Sequence, residues 1–224
     1  MAVMPLAEVG TGSLSILRIG TATAIHYHQT SNEVLFVLGG QGKAISHDEE
    51  FVLAPGKMLI VFAGTPIRLE LSGDTPLELL VFTTPPPTVE GVVPAEPPDR
   101  PPGVLKPMVV DVAQRMAQGL TQSPKGLEFT VVAEMKPTGS VELFRVSDKV
   151  ELHHSLKENH LMYILKGRAQ ATIGSLNTEV GPGQIVIVPK GVKYQLERMG
   201  GEPLEFILFS TPPFVDEDII WDRE

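Results

Sequence analysis

The sequence predicts an all-β protein made of two similar barrels in tandem, and three observations carry that prediction. Gly 21 and Pro 20 make up 41 of 224 residues, about 18% against an average near 12%, so turns are frequent and long helices few. Apolar runs are short and bounded by Gly or Pro at regular spacing, the pattern of a sandwich or barrel. The chain also repeats itself: residues 11–86 align with 138–213 without a gap, at an offset of 127, with 24 identities in 76 pairs. A period of that length marks a duplicated domain.

The elements follow in order. In the first copy, apolar runs at 34–38, 58–62 and 77–82 are expected as strands, delimited by Gly39-Gly40, by Gly56 and Gly64, and by Pro76 and Pro85. The second copy repeats them at 161–165, 185–188 and 204–209. Between Pro85 and Pro107, nine of 23 residues are proline, a composition that forms neither helix nor central strand and stays extended. The expected boundaries are therefore a first barrel at 1–88, a connector at 89–108 and a second barrel at 109–224. One short helix is expected near 109–120, where apolar residues recur at helical spacing before Ser123-Pro124. The acidic tail from Asp216 to Glu224 is expected on the surface, with Ile219, Ile220 and Trp221 docked on a barrel.

Charge narrows the function. Eighteen Lys+Arg against 27 Asp+Glu give a net charge of −9, which disfavours nucleic acid and anionic membranes as partners. Cysteine is absent, so disulfides, thiolate nucleophiles and Cys-based metal sites are excluded. No apolar run reaches the roughly 18 residues of a membrane span, and the N-terminus lacks a signal-peptide pattern; a cytoplasmic protein is expected. Neither a nucleophile elbow nor a phosphate-binding glycine loop is present. Exposed barrel edges favour a homodimer.

The chemistry concentrates in the first copy. Gly20, His26, His28, Glu33 and Gly40 occur at the spacing G-x5-H-x-H-x4-E-x6-G. Alternate residues of a strand share a face, so His26 and His28 look one way and Tyr27 the other. Two imidazoles and a carboxylate converging inside a barrel have the composition of the 2-His-1-carboxylate triad, which leaves positions open for substrate or O₂. Fe(II), Mn(II), Ni(II), Zn(II) and Cu(II) are all acceptable to such a set. Leu35 and Ile67 make the surrounding pocket dry, which suits a small, partly apolar molecule.

These residues resemble the first motif of the cupin superfamily, and the resemblance covers both copies. A second motif, G-x5-P-x-G-x2-H, falls on Gly56, Phe62, Gly64 and Ile67, and in the second copy on Pro189, Gly191 and Tyr194. Both copies lack its histidine. The resemblance implies a bicupin: two jelly-roll (double-stranded β-helix) barrels, each with a central pocket. It also implies that His26, His28 and Glu33 are metal ligands. Ile67 in place of the fourth ligand either weakens the site or opens one more coordination position.

In the second copy His153, Ser155, His160 and Tyr194 take the places of His26, His28, Glu33 and Ile67. His153 and His160 form a weaker candidate metal pair, because no carboxylate compensates the charge. Ser155, Met162 and Tyr194 are expected around the same pocket. Two functions follow. One is a metal-dependent enzyme acting on a small organic molecule, dioxygenase-like by resemblance, with isomerase, lyase and decarboxylase chemistry found on the same fold. The other is a non-catalytic module that binds or senses a small ligand with degenerate metal sites.

Overall fold

The computed structural model describes residues 1–95, 104–123 and 127–222. Residues 96–103 of the proline-rich connector, residues 124–126 and the last two residues of the acidic tail lie outside them. The described chain is nearly all strand, and it divides into two compact units, Met1–Arg115 and Met116–Glu224.

In the first unit, antiparallel strands form a six-stranded sheet in the order Ala2–Glu8, Ser13–Ile19, Leu77–Thr84, Asn32–Gly39, Lys57–Val61, Met108–Asp111. A second sheet contains Glu49–Leu53, Gly42–Ser46 and Arg68–Leu71, and a short ribbon pairs Val92–Pro94 with His26–His28. Leu35, Val37, Leu59, Leu69, Leu79 and Val81 fill the space between the sheets. The second unit repeats this with six strands in the order Thr121–Gln122, Glu128–Met135, Gly139–Val146, Leu204–Thr211, Asn159–Lys166, Ile185–Val188. Facing them are Leu176–Val180, Arg168–Ile173, Tyr194–Met199, Lys149–Ser155 and Ile219–Trp221. These are the two expected jelly-roll barrels.

The duplicated residues make duplicated contacts. Asn32 donates through Nδ2 to the Thr84 carbonyl at 3.4 Å and accepts from the Ala63 N–H at 3.0 Å. Asn159 makes the same pair to Thr211 and Lys190, at 3.3 and 3.1 Å. Each asparagine ties its strand to the neighbour on one side and to the turn that follows the neighbour on the other. The glycine that ends the first motif is equally constrained. Gly40 and Gly167 have φ of +74° and +73°, and a Cβ at either would lie 2.3 Å from the carbonyl oxygen of Pro76 or Pro203, so glycine is required on both counts.

The expected helix over 109–120 is shorter, Val112–Ala117, and is preceded by the strand Met108–Asp111. β-Branched Val109 and Val110 pair with Leu59 and Met58. Asp111 then accepts from the Gln114 N–H at 2.9 Å, which starts the helix, and Gly119 with φ +99° follows it. The pairing of the first barrel therefore extends well past residue 88. In the tail, Ile219–Trp221 docks as a strand on Lys149–Ser155. Among the described residues no helix is long and apolar enough to cross a membrane.

Candidate metal centre and its counterpart

His26 and His28 sit on the short strand opposite Pro94 and Val92. Glu33 enters from the central strand Asn32–Gly39, paired on one side with Val61 and on the other with Thr83. The ligand atoms of these three side chains lie within 4.8 Å of one another. Among the described residues they are the group of His, Asp and Glu brought together in this way. The two imidazole rings stand nearly perpendicular, with centroids 5.7 Å apart at 69°.

Each histidine is oriented. His26 donates Nδ1–H to the Ala24 carbonyl at 3.0 Å. A carbonyl can only accept, so the proton is on Nδ1 and Nε2 keeps its lone pair. Such a bond is the usual partner of a metal-binding imidazole. His28 directs Nε2 to Glu33 Oε1 at 3.3 Å, while its buried Nδ1 has no partner. Burial opposes charge on His28, but the hydrogen bond from its ring to Glu33 and the glutamate's negative charge outweigh that, and its pKa is raised.

The triad lines a cavity of about 440 Å³ together with Leu35, Ile67 and Thr83. Ile67, at the position of the missing motif histidine, is bridged to His26 by two backbone hydrogen bonds of 3.1 and 2.8 Å. Its side chain is 2% exposed.

The second barrel keeps the frame and changes the contents. His153 donates Nδ1–H to the Glu151 carbonyl at 2.7 Å, repeating the bond made by His26. His160 stands where Glu33 stands, and its Nδ1 lies 3.0 Å from the Tyr194 hydroxyl. His153, His160 and Tyr194 line a cavity of about 130 Å³. Ser155 and Met162 do not line it. The Ser155 hydroxyl accepts from the N–H groups of Lys157 and Glu158 at 3.3 and 2.9 Å, capping a turn, and Met162 packs in the core. Burial lowers the pKa of His153 and, with repulsion from His153, pushes His160 down to about 3.

Sequence reasoning passed over Glu142, which takes the place of Ser15. It is fully buried, accepts from the Ser210 hydroxyl at 3.2 Å and has the Ser140 hydroxyl as a second hydrogen-bonding neighbour. Burial pushes its pKa up to about 8, so it is a neutral acid at pH 7. Asn32 and Asn159 were also passed over. Their signal was present in the repeat, as an identity immediately before Glu33 and His160.

Comparison with known proteins agrees with this architecture. The chain is similar to salicylate 1,2-dioxygenase from Pseudaminobacter salicylatoxidans (TM-score 0.77, 13% identity, covering 93% of this chain and 76% of that one). It is also similar to oxalate decarboxylase from Bacillus subtilis (TM-score 0.63, 14% identity, 95% and 70%). A cupin 2 conserved barrel domain protein from Leptotrichia buccalis gives a TM-score of 0.68 at 12% identity, over 94% and 88%. At these identities the likeness is one of fold. In sequence, the uncharacterized protein MJ1618 of Methanocaldococcus jannaschii is 32% identical over 94 residues, 42% of this chain and 69% of that protein. The cupin domain model matches twice, at residues 13–83 and 141–210. With one such domain in each half, the chain belongs to the cupin family.

Proposed function

We propose that the first barrel is a divalent-metal centre acting on a small organic molecule with dioxygenase-like chemistry. The observation that carries this reading is the convergence of His26, His28 and Glu33 within 4.8 Å on the wall of a large cavity. His26 and His28 would offer Nε2, and Glu33 would supply the compensating negative charge. A metal bound there supplies Lewis acidity or an O₂ site at its open positions, and Fe, Mn, Ni, Zn and Cu all suit the donor set. Leu35, Ile67 and Val81 keep water from the site and hold the apolar part of the substrate. The names of two similar structures, a salicylate dioxygenase and an oxalate decarboxylase, support a small organic acid as substrate.

The non-catalytic reading draws on Ile67, because an apolar residue in the fourth position is what a barrel kept for ligand binding would tolerate. Metal analysis decides. Near-stoichiometric metal in the purified protein, removed by Glu33→Ala, is the expected outcome. Metal-free protein from metal-replete cells, with melting unchanged by added Fe(II), Mn(II), Ni(II), Cu(II) or Zn(II), rules out the metal centre.

The homodimer belongs with this proposal, in a cytoplasmic setting. Strand Ala2–Glu8 is a sheet edge with Val3 and Met4 exposed. Pro5 and the register shift beside it blunt backbone pairing there, so side chains would carry the contact. Sedimentation of Met4→Glu against the unchanged chain tests it.

A further inference from the structure

The 130 Å³ cavity of the second barrel has no part in the proposed metal chemistry. Its walls are aromatic. Phe144 stacks on Phe206 with centroids 5.2 Å apart at 5° and on Phe129 at 5.4 Å and 17°, forming one continuous slab. Opposite polar character enters only locally. His153 is enclosed between Tyr194 and Trp221, with ring centroids at 4.2 and 4.7 Å. Nε2 of His160, a side chain 2% exposed on the cavity wall, is buried without a partner.

The state of that nitrogen follows from its neighbour. A phenol donates more readily than it accepts, so Tyr194 donates to Nδ1 of His160 across their 3.0 Å contact. The ring proton then resides on Nε2. A ring that accepts at Nδ1 and carries its one proton on Nε2 is neutral. The cavity therefore presents one uncharged N–H to an aromatic-walled space, and a buried donor without an acceptor is a cost that a suitable ligand removes.

We infer that the second barrel binds a neutral, single-ring aromatic molecule bearing one hydrogen-bond acceptor, its ring along the Phe144 slab and its acceptor on His160 Nε2. Size agrees, since an apolar cavity of about 150 Å³ accommodates benzene. Charge agrees as well: among the described residues no lysine or arginine lines the cavity, and Asp216 does, so an anion would be buried uncompensated.

The test uses the full chain labelled with ¹⁵N and titrated with benzaldehyde, toluene and benzoate. Trp221 is the chain's one tryptophan and lines this cavity, so its indole N–H resonance reports binding here and not in the first barrel. Benzaldehyde is expected to shift it saturably, about tenfold more tightly than toluene, with no shift from benzoate. His160→Leu should bring benzaldehyde down to the affinity of toluene. If that variant does not fold, the His160 ring nitrogens of the unaltered protein must move with benzaldehyde. No saturable shift, equal affinity for benzaldehyde and toluene, tighter binding of benzoate, or Zn(II) bound at His160 would each overturn the inference.

Discussion

The two barrels share a frame and differ in what it encloses. Asn32 and Asn159 tie equivalent strands, Gly40 and Gly167 make equivalent close approaches, and His26 and His153 donate to the carbonyl two residues earlier. Within this frame, His28, Glu33 and Ile67 of the first barrel correspond to Ser155, His160 and Tyr194 of the second. The cavities measure about 440 and 130 Å³. The first gathers a carboxylate beside two imidazoles; the second sets two buried imidazoles beside a tyrosine among aromatic rings. Backbone pairing and a few polar ties are enough to hold the fold, which leaves the interior side chains free to diverge in chemistry.

That contrast can be broken most sharply at the metal. Glu33→Ala should weaken divalent-metal binding at least a thousandfold, about 4 kcal/mol, while His153→Ala leaves it unchanged; calorimetric titration of both variants compares them. Metal lost in His153→Ala instead would reverse the ranking of the two sites.

The shared frame is tested by Gly40→Ala and Gly167→Ala. Each forces a side chain against a carbonyl at positive φ, and each should cost about 3 kcal/mol or more. Denaturant unfolding should report similar losses, and a marked inequality would mean that the frames are not equivalent.

Glu142 probes a difference in stability. Its folded pKa of about 8 stands above the ordinary value of 4.5. The stability associated with its neutral form is complete below pH 4.5 and is lost as pH rises through 8. Glu142→Gln cannot ionise, so it should be more stable than the unaltered chain at pH 9, by on the order of a few kcal/mol, with little difference at pH 4. Unfolding curves at both pH values check the sign. The smallest effect is expected from Ile67→His. Its backbone bridge to His26 puts a new imidazole beside the triad and should tighten metal binding about tenfold, near 1.4 kcal/mol.

Much of this is legible in the sequence. His26, His28 and Glu33 declared themselves because a two-residue period puts the imidazoles on one face and the repeat marks where the next strand begins. The strand Ala2–Glu8 did not. It pairs with Ser13–Ile19 as Glu128–Met135 pairs with Gly139–Val146 in the other barrel, yet lies outside the aligned repeat, since its exposed edge constrains side chains weakly. Val109 and Val110 fit a helical period but are β-branched, and pairing with the neighbouring strand prevailed. The second cavity was hidden for a related reason: Phe129, Phe214 and Trp221 on its wall all fall outside residues 138–213. Glu142 looked like an ordinary strand residue, because only the assembled barrel excludes water from it.

The sheet order also sets a clock. Ser13 pairs with Thr83, and Ser140 with Ser210, a separation of 70 residues in each barrel (83 − 13 and 210 − 140). Translation at about 5–20 residues per second needs roughly 4–14 s to cover that span. Through that interval Ser13–Ile19 and Gly139–Val146 are paired on one side only, with Ala2–Glu8 and Glu128–Met135, and wait for their inner neighbour. Long-range closure of this kind is slow, so the nascent barrels, more than the finished ones, are where this chain is exposed to aggregation.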